Sequence, residues 1–299
     1  MIKIKNSLFI LLLICFSQVF GQFGKNIVQY DGFTWSYIKS PHFDIYYTEN
    51  GYDHAEFAAV EAEKAYNNIS ERLLGDLNDR VSIIIYNSHN DFQQTNVIDS
   101  YMYEGIGGVT ELFKNRVVIP YDGSNKEFAH VIHHELVHAF INDNIYGGSL
   151  QSLLNSAIQF QIPGWMNEGL AEYLASGWDT NSDMWLRDLA INGGDMPHIN
   201  MLTGYWAYRG GQSVWRYVTG KWGDEIISEV FIQIKIANNV EKGILNALGM
   251  DIDELTDQWH EYLKKQYWPD VDGRQSLTDI ARKLTDHEEL ENTYNISPA

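Results

Sequence analysis

Cysteine is nearly missing. The 299 residues contain a single one, Cys15, and it lies in an N-terminal stretch that looks removable. Without it the chain has no disulfide, no thiolate nucleophile and no cysteine metal ligand. An exported protein of this kind must draw its stability from its core or from a metal. Positive charge is scarce too: 21 Lys and Arg face 40 Asp and Glu, for a net charge of −19. Nothing in such a chain would neutralise phosphates, which excludes nucleic acid as a partner. The same charge disfavours anionic membrane surfaces. Long apolar runs are also absent, since the stretch from Leu8 to Phe16 is too short for a comfortable span. What remains is 44% apolar and 13% aromatic, enough for the core of one large domain or two ordinary ones. That composition excludes a disordered tail, a fibrous repeat and a small disulfide scaffold.

Residues 1–21 have the pattern of a secretory signal peptide. Lys3 and Lys5 give the positive start, Leu8 to Phe16 the apolar run, and Val19 and Gly21 the small residues before cleavage. Gln22 then begins the mature chain, which has lost Cys15 and carries no membrane span. The expected location is outside the cytoplasm: periplasm, cell surface or medium.

The mature chain places strands first and helices second, which predicts an α+β fold. Trp35 to Tyr47 alternates, with Phe43, Ile45 and Tyr47 on one face. Asp53 to Leu74 has helical spacing of alanines, stopped by Gly75. Val81–Tyr86, Val109–Phe113 and Arg116–Pro120 are further strands, with a turn at Asn115. Lys126 to about Asp143 is a helix. Gly147 to Ile162 is a mixed connection with a short helix at Leu150–Ile158. Helices follow at Trp165–Ser176, Gly211–Thr219, Asp224–Ala237 and Asp253–Gln266. The expected division is a strand-rich part over 22–125, a helical part over 126–268 and a polar linker over 269–299.

The strongest chemical signal is His134-Glu135-Leu136-Val137-His138. Residues four apart on a helix lie one turn from each other on nearly the same face. Two imidazoles so placed can hold one metal ion, and Glu135 can hold a water beside it, as in the H-E-x-x-H zinc peptidase signature. Phe128, Val131, Ile132, Leu136, Ala139 and Phe140 give this helix an apolar side, so the ionisable groups would be costly to bury without a partner. A catalytic zinc needs a third protein ligand. Downstream, Asn167-Glu168-Gly169-Leu170-Ala171-Glu172-Tyr173 offers carboxylates four apart. Glu168 is the candidate third ligand. Glu172, one turn later, is placed to accept the Nδ1 proton of a liganding histidine.

Together these two segments resemble the gluzincin metallopeptidases, and within them the exported bacterial peptidase MA-like group, over roughly Phe33 to Trp268. The resemblance implies a thermolysin-like catalytic domain: an N-terminal mixed sheet with the active-site helix, then a mainly helical subdomain. It implies one Zn²⁺ per chain held by His134, His138 and Glu168, with Glu135 as general base activating a water at the metal. Asn167 and Glu172 match the family's supporting positions, although Glu172 stands where the thermolysin-like motif has aspartate. Gly108, Val109 and Thr110 match the strand that pairs with an extended peptide. Tyr208, in Tyr208-Arg209-Gly210-Gly211 ahead of the helix Gln212–Thr219, matches the tyrosine that stabilises the transition state; Tyr205 is the alternative.

The implied activity is zinc-dependent hydrolysis of peptide or protein substrates. The alternative is a non-catalytic, zinc-stabilised surface scaffold or binding domain. His130 and His133 flank the motif; His130, one turn before His134, could face the cleft, with a surface or core role the favoured reading. Glu111 could grip a free amine, but Leu112 breaks the aminopeptidase pattern G-x-M-E-N. Relatives of this group often continue into a TolB-like β-propeller, and the final Ser297-Pro298-Ala299 resembles the start of such a repeat in a longer form.

Overall fold

The computed structural model describes residues 30–73, 75–96, 105–111, 116–147, 161–192, 195–275 and 280–282. The expected signal peptide, the short helix at Leu150–Ile158, the turn at Asn115 and the C-terminal Ser-Pro-Ala lie outside these residues.

Five strands form one mixed sheet: β1 (Ser36–Lys39), β2 (Phe43–Tyr47), β3 (Val81–Tyr86), β4 (Val109–Thr110) and β5 (Arg116–Pro120). The spatial order is β1-β2-β3-β5-β4. The inner pairs β2–β3 and β3–β5 are parallel, and the outer pairs β1–β2 and β4–β5 are antiparallel. The register aligns Ile45, Ile83 and Val117 in one row. Since alternate residues face opposite sides, this row and its neighbours form a continuous apolar face.

Two helices cover that face: α1 (Tyr52–Leu73), and the later α3 (Asn125–Tyr146), which packs against it. A one-turn helix, α2 (His89–Phe92), lies on the other side with Tyr86 and Val118. Ala55, Ala58, Ala62 and Ala65 are all buried, and their small side chains let α1 lie close to the strands and to α3. The start of α3 is fixed by Ser124, whose hydroxyl accepts the Glu127 N–H. Its end is fixed by Gly147 at φ 75°, a left-handed position suited to glycine.

The second half is helical: α4 (Gly164–Ser176), α5 (Thr180–Asn192), α6 (Tyr205–Trp222), α7 (Ile226–Ala237), α8 (Val240–Leu248) and α9 (Ile252–Tyr267). The α+β expectation holds, with three additions: α2, α5 and α8 were not foreseen. Of the strand expected over Val109–Phe113, the described residues pair as β4 at Val109–Thr110, and the Glu111 N–H donates to the Arg116 carbonyl at 2.8 Å; Leu112 and Phe113 lie outside the described residues.

One crossing matters most for the site. A Cβ on Gly169 of α4 would lie 2.3 Å from the Gly211 carbonyl carbon, and one on Gly211 of α6 would lie 2.1 Å from Trp165 O. The two backbones therefore touch, and no side chain fits between them. Trp215, one turn beyond Gly211, donates its indole N–H to Met166 O at 3.0 Å and fixes the crossing along α6.

Candidate active site

Three segments meet above the sheet: the middle of α3, the first half of α4 and the first turns of α6. From α3 come His134, Glu135 and His138; from α4, Glu168 and Glu172; from α6, Tyr208 and Arg209. The His134 and His138 Nε2 atoms are 3.1 Å apart. Glu168 Oε2 lies 3.3 Å from the first and 3.2 Å from the second. Two nitrogens and one carboxylate oxygen thus form a nearly equilateral triangle.

The structure holds no metal, so fit is judged by the donors. Tetrahedral ligands about 2.0–2.1 Å from zinc are separated by about 3.3 Å, which is the spacing found. Two imidazoles and a carboxylate are also a zinc-binding set. Burial alone would lower the His134 pKa, yet Glu168 and Glu172 override it and raise the value to about 10. A metal-free site therefore keeps a proton on His134 at neutral pH. Glu168 sits well below the usual carboxylate range; burial pushes it up, but hydrogen bonds from both histidines outweigh that. The residues fit a divalent cation.

Glu172 sits at the centre of the supporting contacts. Its Oε1 is 3.0 Å from His134 Nδ1, a charge contact whose angle falls short of a straight hydrogen bond. The same oxygen is 3.3 Å from His130 Nε2, and Oε2 accepts from Arg209 Nη1 at 2.9 Å. His130, His134 and Glu172 could themselves group around a cation, but the Arg209 guanidinium already neutralises that carboxylate. This second set is therefore support for the first. Arg209 is tied further by Ser182 and Gln212, and Gln212 donates to Gly177 O at 2.9 Å.

His130 corrects the sequence reading. It lines the cleft, with Nδ1 2.8 Å from the Ser176 hydroxyl, and is not a bystander on the surface or in the core. His133 is half-buried on α3, and desolvation lowers its pKa to about 4. Tyr208 also needs a correction: it lies within α6, because that helix begins at Tyr205, seven residues before the start expected at Gln212. Its ring stacks on His134 with centroids 5.8 Å apart and planes 12° apart. Burial, then the Glu168 carboxylate, pushes the Tyr208 phenol up and keeps it protonated. Tyr205 lies on the cleft rim and accepts from Arg209 Nε at 3.2 Å. Asn167 lines the cleft beside Glu168 but has no hydrogen bond to the three donors among the described residues. Glu111 is buried and accepts from Arg116 Nε at 2.6 Å, so it is already engaged by a cation.

The cleft has two lobes, of about 420 and 350 Å³. Gly108, His134, Glu135 and Tyr208 line both, so His134 and Glu135 sit at the junction, while His138 and Glu168 face the smaller lobe. Strand β4 runs along the rim as the edge of the sheet, and a Cβ on Gly108 would lie 2.9 Å from Glu135 Cγ.

A sequence model of the Peptidase MA superfamily matches residues 62–265. The chain belongs to that superfamily. The match takes in both motifs and the α4–α6 crossing, so the chain carries a gluzincin-like Peptidase MA domain. Among solved structures it is similar to an M1 zinc metallopeptidase from Deinococcus radiodurans, at 10% identity and a TM-score of 0.43. That alignment covers 75% of this chain and 50% of the other, so the domain spans half the length of the protein it matches. No curated protein sequence matches the chain.

Proposed function

We propose that this Peptidase MA domain is an exported enzyme that hydrolyses peptide bonds, with His134, His138 and Glu168 as the zinc ligands. The observation that carries the reading is the donor triangle, 3.1–3.3 Å on each side, next to Glu135 and beneath an edge strand. Bound zinc supplies a Lewis acid that polarises the scissile carbonyl and acidifies an attacking water. Glu135 takes the proton from that water and delivers it to the departing amine. Tyr208 donates a hydrogen bond from its phenol to the oxygen that gains charge in the transition state. The free edge of β4, with Gly108, Val109 and Thr110, pairs with the extended backbone of the substrate. A peptide held there runs from one lobe to the other across the triangle.

Glu111 is committed to Arg116, so the free-amine grip of an aminopeptidase is not supplied by that residue. The proposal is therefore for cleavage within a chain. Export rests on the signal-peptide pattern of residues 1–21, and the mature N-terminus is expected at Gln22. The polar residues 269–299 are proposed as a linker, leading to a propeller in longer forms.

The test is zinc content and turnover of wild type, Glu135→Gln and Glu168→Ala on a quenched-fluorescent peptide pool. Wild type should bind about one zinc and cleave. Glu135→Gln should keep the zinc and lose turnover, and Glu168→Ala should lose or weaken the metal. Undiminished cleavage by Glu135→Gln would remove it as the base.

A further inference from the structure

Glu135 receives a hydrogen bond that the H-E-x-x-H motif does not foretell. The Thr110 hydroxyl lies 2.6 Å from Glu135 Oε2 and 2.9 Å from the Glu135 carbonyl oxygen. Both acceptors belong to one residue, and the contact to the carboxylate is the shorter, as expected for a charge-assisted bond. Glu135 Oε1 lies beside Gly108 and has no hydrogen-bond partner among the described residues.

The strand pattern explains how this arises. Residues two apart on a strand share a face. Gly108 and Thr110 both face α3: the first makes room for Glu135 Cγ, and the second binds Oε2. Val109, between them, packs on the opposite side with the Tyr86, Phe92 and Val118 cluster. The Thr110 backbone is held by pairing with Val117. The edge strand thus carries a space-making residue and a hydroxyl donor in successive places over the same carboxylate.

We infer that Thr110 is a positioning residue for the base. Its hydroxyl holds Oε2, which fixes the plane of the Glu135 carboxylate and leaves Oε1 as the oxygen that meets the attacking water. This deepens the proposed peptidase reading and rests on Glu135 being its base. It also gives the substrate strand a second task, because a peptide that shifts β4 moves the base with it. A structural alternative exists for any strand threonine: the hydroxyl could serve only to satisfy the α3 carbonyl. The two differ in what Glu135 does when the hydroxyl is removed.

The experiment uses the zinc-loaded mature protein as wild type, Thr110→Val and Thr110→Ser. Crystal structures of all three are compared, and kcat and KM are measured on the quenched-fluorescent peptide pool. Misplacing a reacting group by about 1 Å costs about 100-fold. Thr110→Val should therefore lower kcat about 10- to 100-fold, with KM within about twofold, zinc still near one per chain and an unchanged melting temperature. Its Glu135 carboxylate should rotate or split between two orientations. Thr110→Ser should restore the wild-type orientation and most of kcat. Wild-type kcat in Thr110→Val, or a Glu135 carboxylate left in place, would overturn the assignment. So would an equal loss in Thr110→Val and Thr110→Ser. If wild type cleaves no peptide, the crystal structures still decide. A carboxylate displaced by Val and restored by Ser upholds the positioning role while the peptidase reading falls, and an undisplaced one sinks the role.

Discussion

Glu172 touches His134, His130 and Arg209 at once. A buried carboxylate with three partners keeps its charge, and here burial is outweighed by the contacts with His130 and His134, which hold it below the usual carboxylate range. Removing one partner leaves the others short. Arg209→Ala is expected to weaken zinc binding about 10- to 100-fold, the usual effect of losing a supporting contact behind a ligand; competition with a chromophoric chelator measures it, and unchanged affinity would show that Arg209 only ties helices together. Tyr208→Phe should lower kcat about 100-fold or more, as for an oxyanion donor, with zinc content unchanged. The raised His134 pKa has a sign that can be checked. With a value near 10 the metal-free imidazole is charged at pH 7, and coordination needs its lone pair, so zinc binding should release about one proton. Affinity should then rise with pH up to about 10, and titration calorimetry in buffers of different ionisation enthalpy would report no released proton if this were wrong.

At this scale the sequence was informative where spacing is local. His134, Glu135 and His138 share one helix, and Glu168 and Glu172 share another, so the four-residue spacing carried them. Arg209 was not legible as the partner of Glu172, because 37 positions separate the two and no local pattern links them. Thr110 was read only as part of a strand, since a strand's period gives its face and not its hydrogen-bond partner.

Among the elements, α6 shows why one boundary was misread. Gly210-Gly211 looks like a turn, and glycine costs a helix about 1 kcal/mol relative to alanine. The helix nevertheless runs through both: the contact with α4 leaves no space for a Cβ at Gly211, and the Leu202 side chain crowds Gly210. Gly211→Ala should force α4 and α6 apart at about 1–3 kcal/mol, lowering the melting temperature by about 2–4 °C for each kcal/mol. It should also reduce kcat, since Tyr208 and Glu168 lie within a turn of the contact; a stable, fully active variant would mean that the crossing has slack. The helix α5 escaped notice because only Ser182, Leu186 and Leu189 of its thirteen residues are buried. The helix α8 is nine residues long, too short for periodicity to stand out.

For the molecule as a whole, the order of strands and helices was sufficient to predict an α+β fold, while strand pairing needed the structure. The sequence could not say that β4, the fourth strand in the chain, would lie at the edge beyond the fifth. Among the described residues, that placement leaves the outer side of β4 without a partner strand beside the cleft. Peptides with acetylated N-termini should be cleaved at least as well as free ones; a strict need for a free amine would point to an acidic grip other than Glu111. Chelation of the metal should lower the melting temperature, by about 8 °C or more where zinc had been present at a thousand times its Kd, and readdition should restore it.

The touching backbones at Gly169 and Gly211 give the cleft one hard wall. Glu168 and Tyr208 stand on that wall, and it has no side chains to compress. Accommodation of bulkier substrates therefore falls to the opposite wall, where a short strand paired, among the described residues, with one other strand can yield. Variants that broaden or narrow what the cleft accepts should collect along β4 and its flanks, and variants at the helix crossing should instead be all-or-none.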